Sequence, residues 1–282
     1  MVFRRRQPSI NSKPQIITYH FDDLGLFLLP GKEVMTIKHT VGPLKSGQQN
    51  QNQRSQKIKI ATAVATVVIA VMAILFIVFH DKLESQIAQQ ITTVKKKKPI
   101  KPAASKKIVK AAAKKASWDM AAVKPVSLTS LANAALRRND YAAVGQLSSS
   151  ALNMKMNIYV GVGNTELNLG AGTLKKDDVM GIENYALAGH NMDDGRTLFS
   201  PLYTAAVRGQ LKGVVVDVTD WVKVYHYKVV THRFVSPYSL DLAGNTLNTR
   251  EQPILTLFTC DWTGRGRLYV QAKLDWTTDY KG

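Results

Sequence analysis

Twenty consecutive positions, 60–79, carry no charge, and all are apolar except Thr62 and Thr66. At about 1.5 Å per residue, a helix of that length spans a hydrocarbon layer of about 30 Å. The pattern therefore predicts one membrane-spanning helix. A cleaved signal peptide would have a shorter apolar core, nearer the start of the chain. Past Trp118 the pattern changes. Between Trp118 and Leu152, the spacing of Leu128, Leu131, Ala135 and Leu136 predicts a helix with those residues on one side. After about Met154 short strand-like runs take over. They include Ile158-Tyr159-Val160, Tyr185 to Ala188, Val214 to Val218, and Val222 to Thr231, where Val224, His226 and Lys228 alternate with Tyr225, Tyr227 and Val229. The apolar run Thr256 to Asp261 and the run Arg267 to Leu274 follow, joined by a turn with Gly264 and Gly266. Seven or eight short strands with turn signals between them predict a closed or nearly closed β-barrel.

The remaining segments complete a four-part organisation. Residues 1–59 form a basic and polar tail, from Arg4-Arg5-Arg6 to the run Gln48 to Gln53, expected to be largely disordered. Residues 60–79 are the membrane signal-anchor. Residues 80–117 are rich in Lys and Ala, with Lys95-Lys96-Lys97-Lys98-Pro99 at their centre, and predict an extended or partly helical spacer. Residues 118–282 have the composition of a globular domain.

Charge sharpens this division. Of the net +18, residues 1–148 carry +17 (24 Lys and Arg against 7 Asp and Glu) and residues 149–282 carry +1 (14 against 13). A nucleic-acid-binding domain would concentrate charge on its folded face, so no nucleic-acid partner is expected. Lys45, Arg54, Lys57 and Lys59 precede the apolar run, whereas only Lys82 follows closely, which predicts a cytoplasmic N-terminus and an extracellular C-terminal domain.

The chain has one cysteine, Cys260, which excludes an intramolecular disulfide and a cysteine-rich zinc site. It lies at the end of a strand, before a loop that returns Arg265 and Arg267 to the same edge. A thiol in such a place is a candidate nucleophile. Of the domain's three histidines, His226 and His232 lie on or just past an alternating strand and read as ordinary surface or core residues. His190 instead closes a strand at Gly189-His190-Asn191 and opens a loop.

With Asn184-Tyr185-Ala186-Leu187-Ala188-Gly189-His190-Asn191, Thr256-Leu257-Phe258-Thr259-Cys260 and a following arginine, the chain resembles the sortases, membrane-anchored cysteine transpeptidases of Gram-positive bacteria. Gly163 to Leu167, Gly170 to Thr173 and Leu198 to Leu202 add to a likeness that covers roughly residues 118–282 and is nearest to the housekeeping, class A branch. The resemblance implies an eight-stranded β-barrel with short helices. It implies Cys260 as nucleophile, His190 as general acid and base, and Arg267 as the group that binds substrate and stabilises the oxyanion. Arg265 is the alternative arginine; Arg267 is preferred because it leads directly into the apolar strand Leu268-Tyr269-Val270. Thr259 is a candidate for orienting substrate or adding to the oxyanion site. The implied substrates are surface proteins with a C-terminal Leu-Pro-x-Thr-Gly-type signal, cleaved between Thr and Gly. The implied acceptor is an amine of a lipid-linked peptidoglycan precursor.

Three other functions fit parts of the sequence. A membrane-bound cysteine protease would use the same residues to hydrolyse. A pilin-polymerising sortase would have a lid with an Asp-Pro-aromatic motif and a C-terminal membrane span; Trp118-Asp119-Met120 is a faint echo of the first, and the chain ends at Gly282 without the second. A non-enzymatic envelope-binding protein would use the lysines of residues 80–117, which could also hold the domain against an anionic envelope. No cofactor is expected and no metal site is assigned; a dependence on calcium, which some sortases show, is left open. Glu166, Asp177, Asp178 and Glu183 are calcium-ligand types, but their spacing singles out no site.

Overall fold

A computed structural model describes residues 46–245 and 252–282. The tail expected over residues 1–59 lies outside the described residues as far as position 45. From there the expectation is corrected, because helix α1 (Ser46–Ile91) already begins at Ser46. Contacts along the chain separate Met1–Ala63 from Val64–Gly282. In the first unit only the helical residues 46–63 are described; everything below belongs to the second. α1 is long and apolar enough to cross a membrane. Its apolar side chains, among them Ile69, Phe76 and Ile77, are exposed.

The strands are β1 (Gly145–Ser149), β2 (Met154–Tyr159), β3 (Gly170–Thr173), β4 (Asn184–Ala188), β5 (Val215–Thr219), β6 (Lys223–Val235), β7 (Ile254–Cys260) and β8 (Arg267–Asp279). They close into one barrel in the order β1-β2-β3-β4-β7-β8-β6-β5. β2 and β3, and β4 and β7, pair in parallel, and the other neighbours are antiparallel. The eight-stranded expectation holds. β1 falls in the stretch expected to be helical: Gly-Gln-Leu-Ser-Ser offers no β-branched residue, and the pairing with β2 and β5 makes it a strand.

Leu147, Ile158, Leu187, Val216, Val218, Leu255, Leu257, Leu268 and Val270 fill the barrel interior. β7 is buried along almost its whole length, because its other face is covered as well: Phe258 packs with Ala186, Tyr269, Leu242 and Ala243. Hence its charge-free, largely apolar sequence, the signature of a strand covered on both faces.

Helix α3 (Leu128–Arg137) confirms the predicted helix but corrects its face. Ser127 caps its N-terminus, and the buried residues are Leu131 and Ala134. Ala135 is exposed and Leu136 is 84% exposed. At about 100° per residue, Leu136 lies on the far side from Leu131.

The solvated spacer expected over 80–117 is also corrected. The last turns of α1 bury Ala88 and Ile91 against Leu131, Ala134, Tyr159 and Leu169. Next comes a strap of lysines: Lys97 lies 3.5 Å from the centroid of the Trp221 ring, and its carbonyl accepts from the Tyr280 hydroxyl. Gln146 donates to the Lys95 carbonyl, and the Ile100 amide to that of Trp221. Helix α2 (Pro102–Ala113) then lays Ile108, Val109, Ala112 and Ala113 on the barrel core. The apolar residues among the lysines recur at helical spacing, and burying them outweighs like-charge repulsion between solvated lysine heads.

Candidate active site

Three neighbouring strands bring the candidate residues to one rim. β7 and β8 end on the pair Cys260–Arg267, and two residues earlier pair Phe258 with Tyr269. Directly opposed residues share a face of a sheet, so the Cys260 and Arg267 side chains leave the barrel on the same side. β4 runs parallel to β7 with Ala186 opposite Thr256 and Ala188 opposite Phe258, and the Gly189 amide donates to the Phe258 carbonyl at 3.0 Å. Two residues past that last pair the chain reaches His190, and the charge of Arg267 acts on both His190 and Cys260.

Thr259 faces the other way. Its partner is Leu268, buried in the barrel core, and its own hydroxyl is enclosed without a hydrogen-bond partner. Alternation along the strand turns this candidate hydroxyl away from the face that carries the thiol.

The turn after Cys260 presents the arginine. The Asp261 carboxylate accepts from the Thr263 amide and hydroxyl at 3.0 and 2.7 Å. At Gly266 a Cβ would lie 2.4 Å from the other Asp261 oxygen, so this position must be glycine while that carboxylate folds over the turn. Arg267 Nη1 donates to the Gly264 and Gly266 carbonyls, leaving the rest of the guanidinium fork free. Arg265 is exposed at the tip of the turn.

The loop after His190 is equally determined. The Phe199 amide donates to the His190 carbonyl, and Asn191 Nδ2 donates to the Cys260 carbonyl at 3.3 Å, tying the two candidate residues through one side chain. Phe199 is fully buried against Gly189, where a Cβ would come within 2.9 Å of the ring. Sequence reading missed Asn191 and Phe199 as parts of the site, although both stood inside the motifs quoted for the resemblance.

Electrostatics favour an uncharged resting pair. Burial, aided by the Arg267 charge, lowers His190 from 6.5 to about 4. Burial pushes the Cys260 thiol up, against the pull of Arg267 and with a further push from Asp261. At neutral pH the imidazole and the thiol are therefore both neutral. His190 Nε2 is buried and has no partner. A buried unsatisfied nitrogen is costly, and here it is the atom an acid–base group needs free.

The other candidates are placed apart from this rim. His226 Nδ1 lies 2.6 Å from Asp217 Oδ1 and its Nε2 3.0 Å from the Thr278 hydroxyl, while the ring stacks on Trp276. His232 pairs with Val270 across β6 and β8. Among the described residues no group of three or more His, Cys, Asp or Glu could hold a metal ion. Glu166 is buried in helix α4 (Asn164–Leu169), Asp178 pairs with Lys175 at 2.9 Å, and Glu183 accepts from Asn245.

The chain is similar to known proteins. Residues 147–275 match the sortase domain family model. The chain is 34% identical over 172 residues to sortase A of Streptococcus agalactiae serotype III (strain NEM316), covering 59% of this chain and 66% of that one, just under two thirds of the relative's length. It is 34% identical over 103 residues to YwpE of Bacillus subtilis (strain 168), provisionally named a sortase, covering 36% of this chain and 92% of that one. The crystal structure of Listeria monocytogenes sortase A is 28% identical and aligns with a TM-score of 0.44, over 49% of this chain and 90% of that chain. The chain belongs to the sortase family.

Proposed function

We propose that this protein is a membrane-anchored cysteine transpeptidase of the class A type. It would cleave Leu-Pro-x-Thr-Gly-type sorting signals between Thr and Gly and join the surface protein to the amine of a lipid-linked cell-wall precursor. The observation that carries the reading is the cross-strand pair Cys260–Arg267, with His190 just past the end of β4, the strand that runs beside β7. The class A assignment rests on the likeness to a relative named sortase A.

The chemistry follows from these groups. The Cys260 thiolate, a minor species at neutral pH, attacks the threonine carbonyl carbon, and the carbonyl electrons move onto oxygen. Arg267 cannot give up its proton, but its free N–H groups stabilise that oxyanion. As the C–N bond breaks, the His190 imidazolium gives its proton to the leaving glycine amine, which leaves a thioester on Cys260. The incoming amine gives its proton to His190 and attacks the thioester; an amide forms and sulfur leaves as the thiolate, which restores the starting thiolate and imidazolium. The enclosure that lowers His190 also makes its imidazolium a strong proton donor once formed.

The anchor fits a membrane-held acceptor. Ser85 and Gln89 lie 6 and 10 residues past Phe79, where the apolar run ends. That is about 9 and 15 Å of helix, so the barrel would stand close to the lipid surface. The basic residues before the run support a cytoplasmic N-terminus and an extracellular barrel.

The test is to incubate the full-length chain, in vesicles, with a quenched Leu-Pro-x-Thr-Gly peptide with and without a glycine-based amine. Transfer that needs the amine and is lost in Cys260→Ala supports the reading. Cleavage at the same rate with no aminolysis product would make the protein a hydrolase. Intact peptide with wild-type protein would overturn both.

A further inference from the structure

The final turns of α1 reach past the barrel surface to the loop that follows His190. The Gln89 side chain donates to the Thr197 hydroxyl at 3.2 Å, and Ser85 lies near enough to the Asp194 carboxyl to help hold its pKa down. Ser85 and Gln89 are four residues apart and so lie on one face of the helix. On the barrel side, Asp194 organises the loop. It accepts from the Arg196 and Thr197 amides at 2.9 and 2.8 Å and from the Thr197 hydroxyl.

This loop is short and returns to the site at both ends. Its two ends are tied together, the Met192 amide to the Ser200 hydroxyl and the Phe199 amide to the His190 carbonyl, and Asn191 is bonded to the Cys260 carbonyl. A separate contact steadies the helix itself: Glu84 Oε1 accepts from the Leu128 amide at 3.1 Å, at the start of α3. With Ala88 and Ile91 packed beneath, α1 is fixed at its own position and then gripped to the loop.

We infer that Ser85 and Gln89 are positioning residues, through which the end of the membrane helix holds the 191–199 loop and with it His190 opposite Cys260. The anchor is then part of the active-site scaffold as well as a tether. The inference rests on the proposed roles of Cys260 and His190, and concerns how their geometry is kept. The contacts are polar, Gln89 is exposed and Ser85 is half-buried, so their removal leaves the barrel core untouched.

The experiment uses the full-length protein in vesicles and compares wild type with the double variant Ser85→Ala, Gln89→Ala, and with Thr197→Val and Thr197→Ser. Three quantities are read: kcat and KM for the sorting peptide, the rate of Cys260 alkylation by iodoacetamide without peptide, and Tm. Misplacing a catalytic group by a fraction of an ångström costs rate more than binding. The double variant and Thr197→Val are expected to lose about tenfold in kcat and in alkylation rate, with KM and Tm nearly unchanged. Thr197→Ser, which keeps the hydroxyl, is expected to restore both. Unchanged kcat and alkylation in the double variant would overturn the inference, as would a fall in Tm alone or a Thr197→Ser variant no better than Thr197→Val. If wild type transfers no peptide, the proposed function is lost, but alkylation still reports whether the helix governs the Cys260–His190 pair.

Discussion

Cys260 and Arg267 are the last cross-strand pair of β7 and β8, so the thiol and the guanidinium stand side by side where the barrel opens. The turn between them spans only Asp261 to Gly266, and the arginine is held there by the Gly264 and Gly266 carbonyls. Register decides which of the two arginines faces the thiol. Position 267 is opposite it, and position 265 is at the exposed tip.

From this pairing, Arg267→Gln is expected to lower kcat/KM for a sorting peptide by about 100-fold or more, the usual scale for losing an oxyanion donor. Arg267→Lys should recover little, since an ammonium has no planar fork. Arg265→Gln should remain within about twofold of wild type, as exposed charges usually do. Steady-state transpeptidation of the three variants checks the assignment, and a dead Arg265→Gln beside a healthy Arg267→Gln would reverse it.

Gly189 is where the ring of Phe199 meets the backbone next to His190. A methyl group there would lie 2.9 to 3.1 Å from three ring atoms. Gly189→Ala must push the ring or the strand end aside, at a cost of about 1–3 kcal/mol in stability. A lower Tm is expected together with a lower kcat, because the displaced backbone carries His190. A variant with full activity and unchanged melting would show that the rim tolerates the shift.

Acid should affect stability through His190. In the unfolded chain this imidazole takes up a proton near 6.5, but in the folded protein only near 4. Between those values the unfolded state binds more protons. The corresponding stabilisation is complete above about pH 6.5 and disappears as pH falls to about 4, amounting to about 3 kcal/mol. Chemical denaturation of wild type and His190→Asn across this range should show a steeper acid loss for wild type. For turnover, the acid limb of kcat/KM should fall nearer pH 4 than 6.5.

The lysine strap should show one lysine unlike its neighbours. Lys97 lies over the buried Trp221 ring, and burial lowers its pKa, whereas Lys95, Lys96 and Lys98 are exposed. Lys97→Gln is expected to cost about 0.5–2 kcal/mol, the range for a cation over an indole. Lys96→Gln and Lys98→Gln should be near neutral in the same denaturant titration. If replacing all four lysines leaves surface retention of the protein unchanged, an electrostatic hold on the envelope is excluded.

Much of this was legible in the chain because it depends on neighbours in sequence. Twenty uncharged residues give a membrane-length helix in any context. The β-branched alternation around Val224 and Tyr227 gives a strand, and the motifs around His190 and Cys260 carried the family likeness. Less legible were elements defined by what covers them. Gly145–Ser149 is a strand only because β2 and β5 flank it. Leu136 was placed on the buried side of α3 although the surface beneath that helix reaches Leu131 and Ala134.

By itself, the sequence determined the residue types of the candidate site, a helix long and apolar enough to cross a membrane, and the alternating strands, since composition and short-range periodicity suffice for these. Only the tertiary structure decided that His190, 70 positions before Cys260, arrives beside it, because a parallel register between β4 and β7 is a long-range fact. The same holds for which arginine is paired with Cys260, the inward turn of Thr259 and the docking of residues 80–117 on the barrel. Each depends on which surface a side chain meets after closure, and no local pattern encodes that surface.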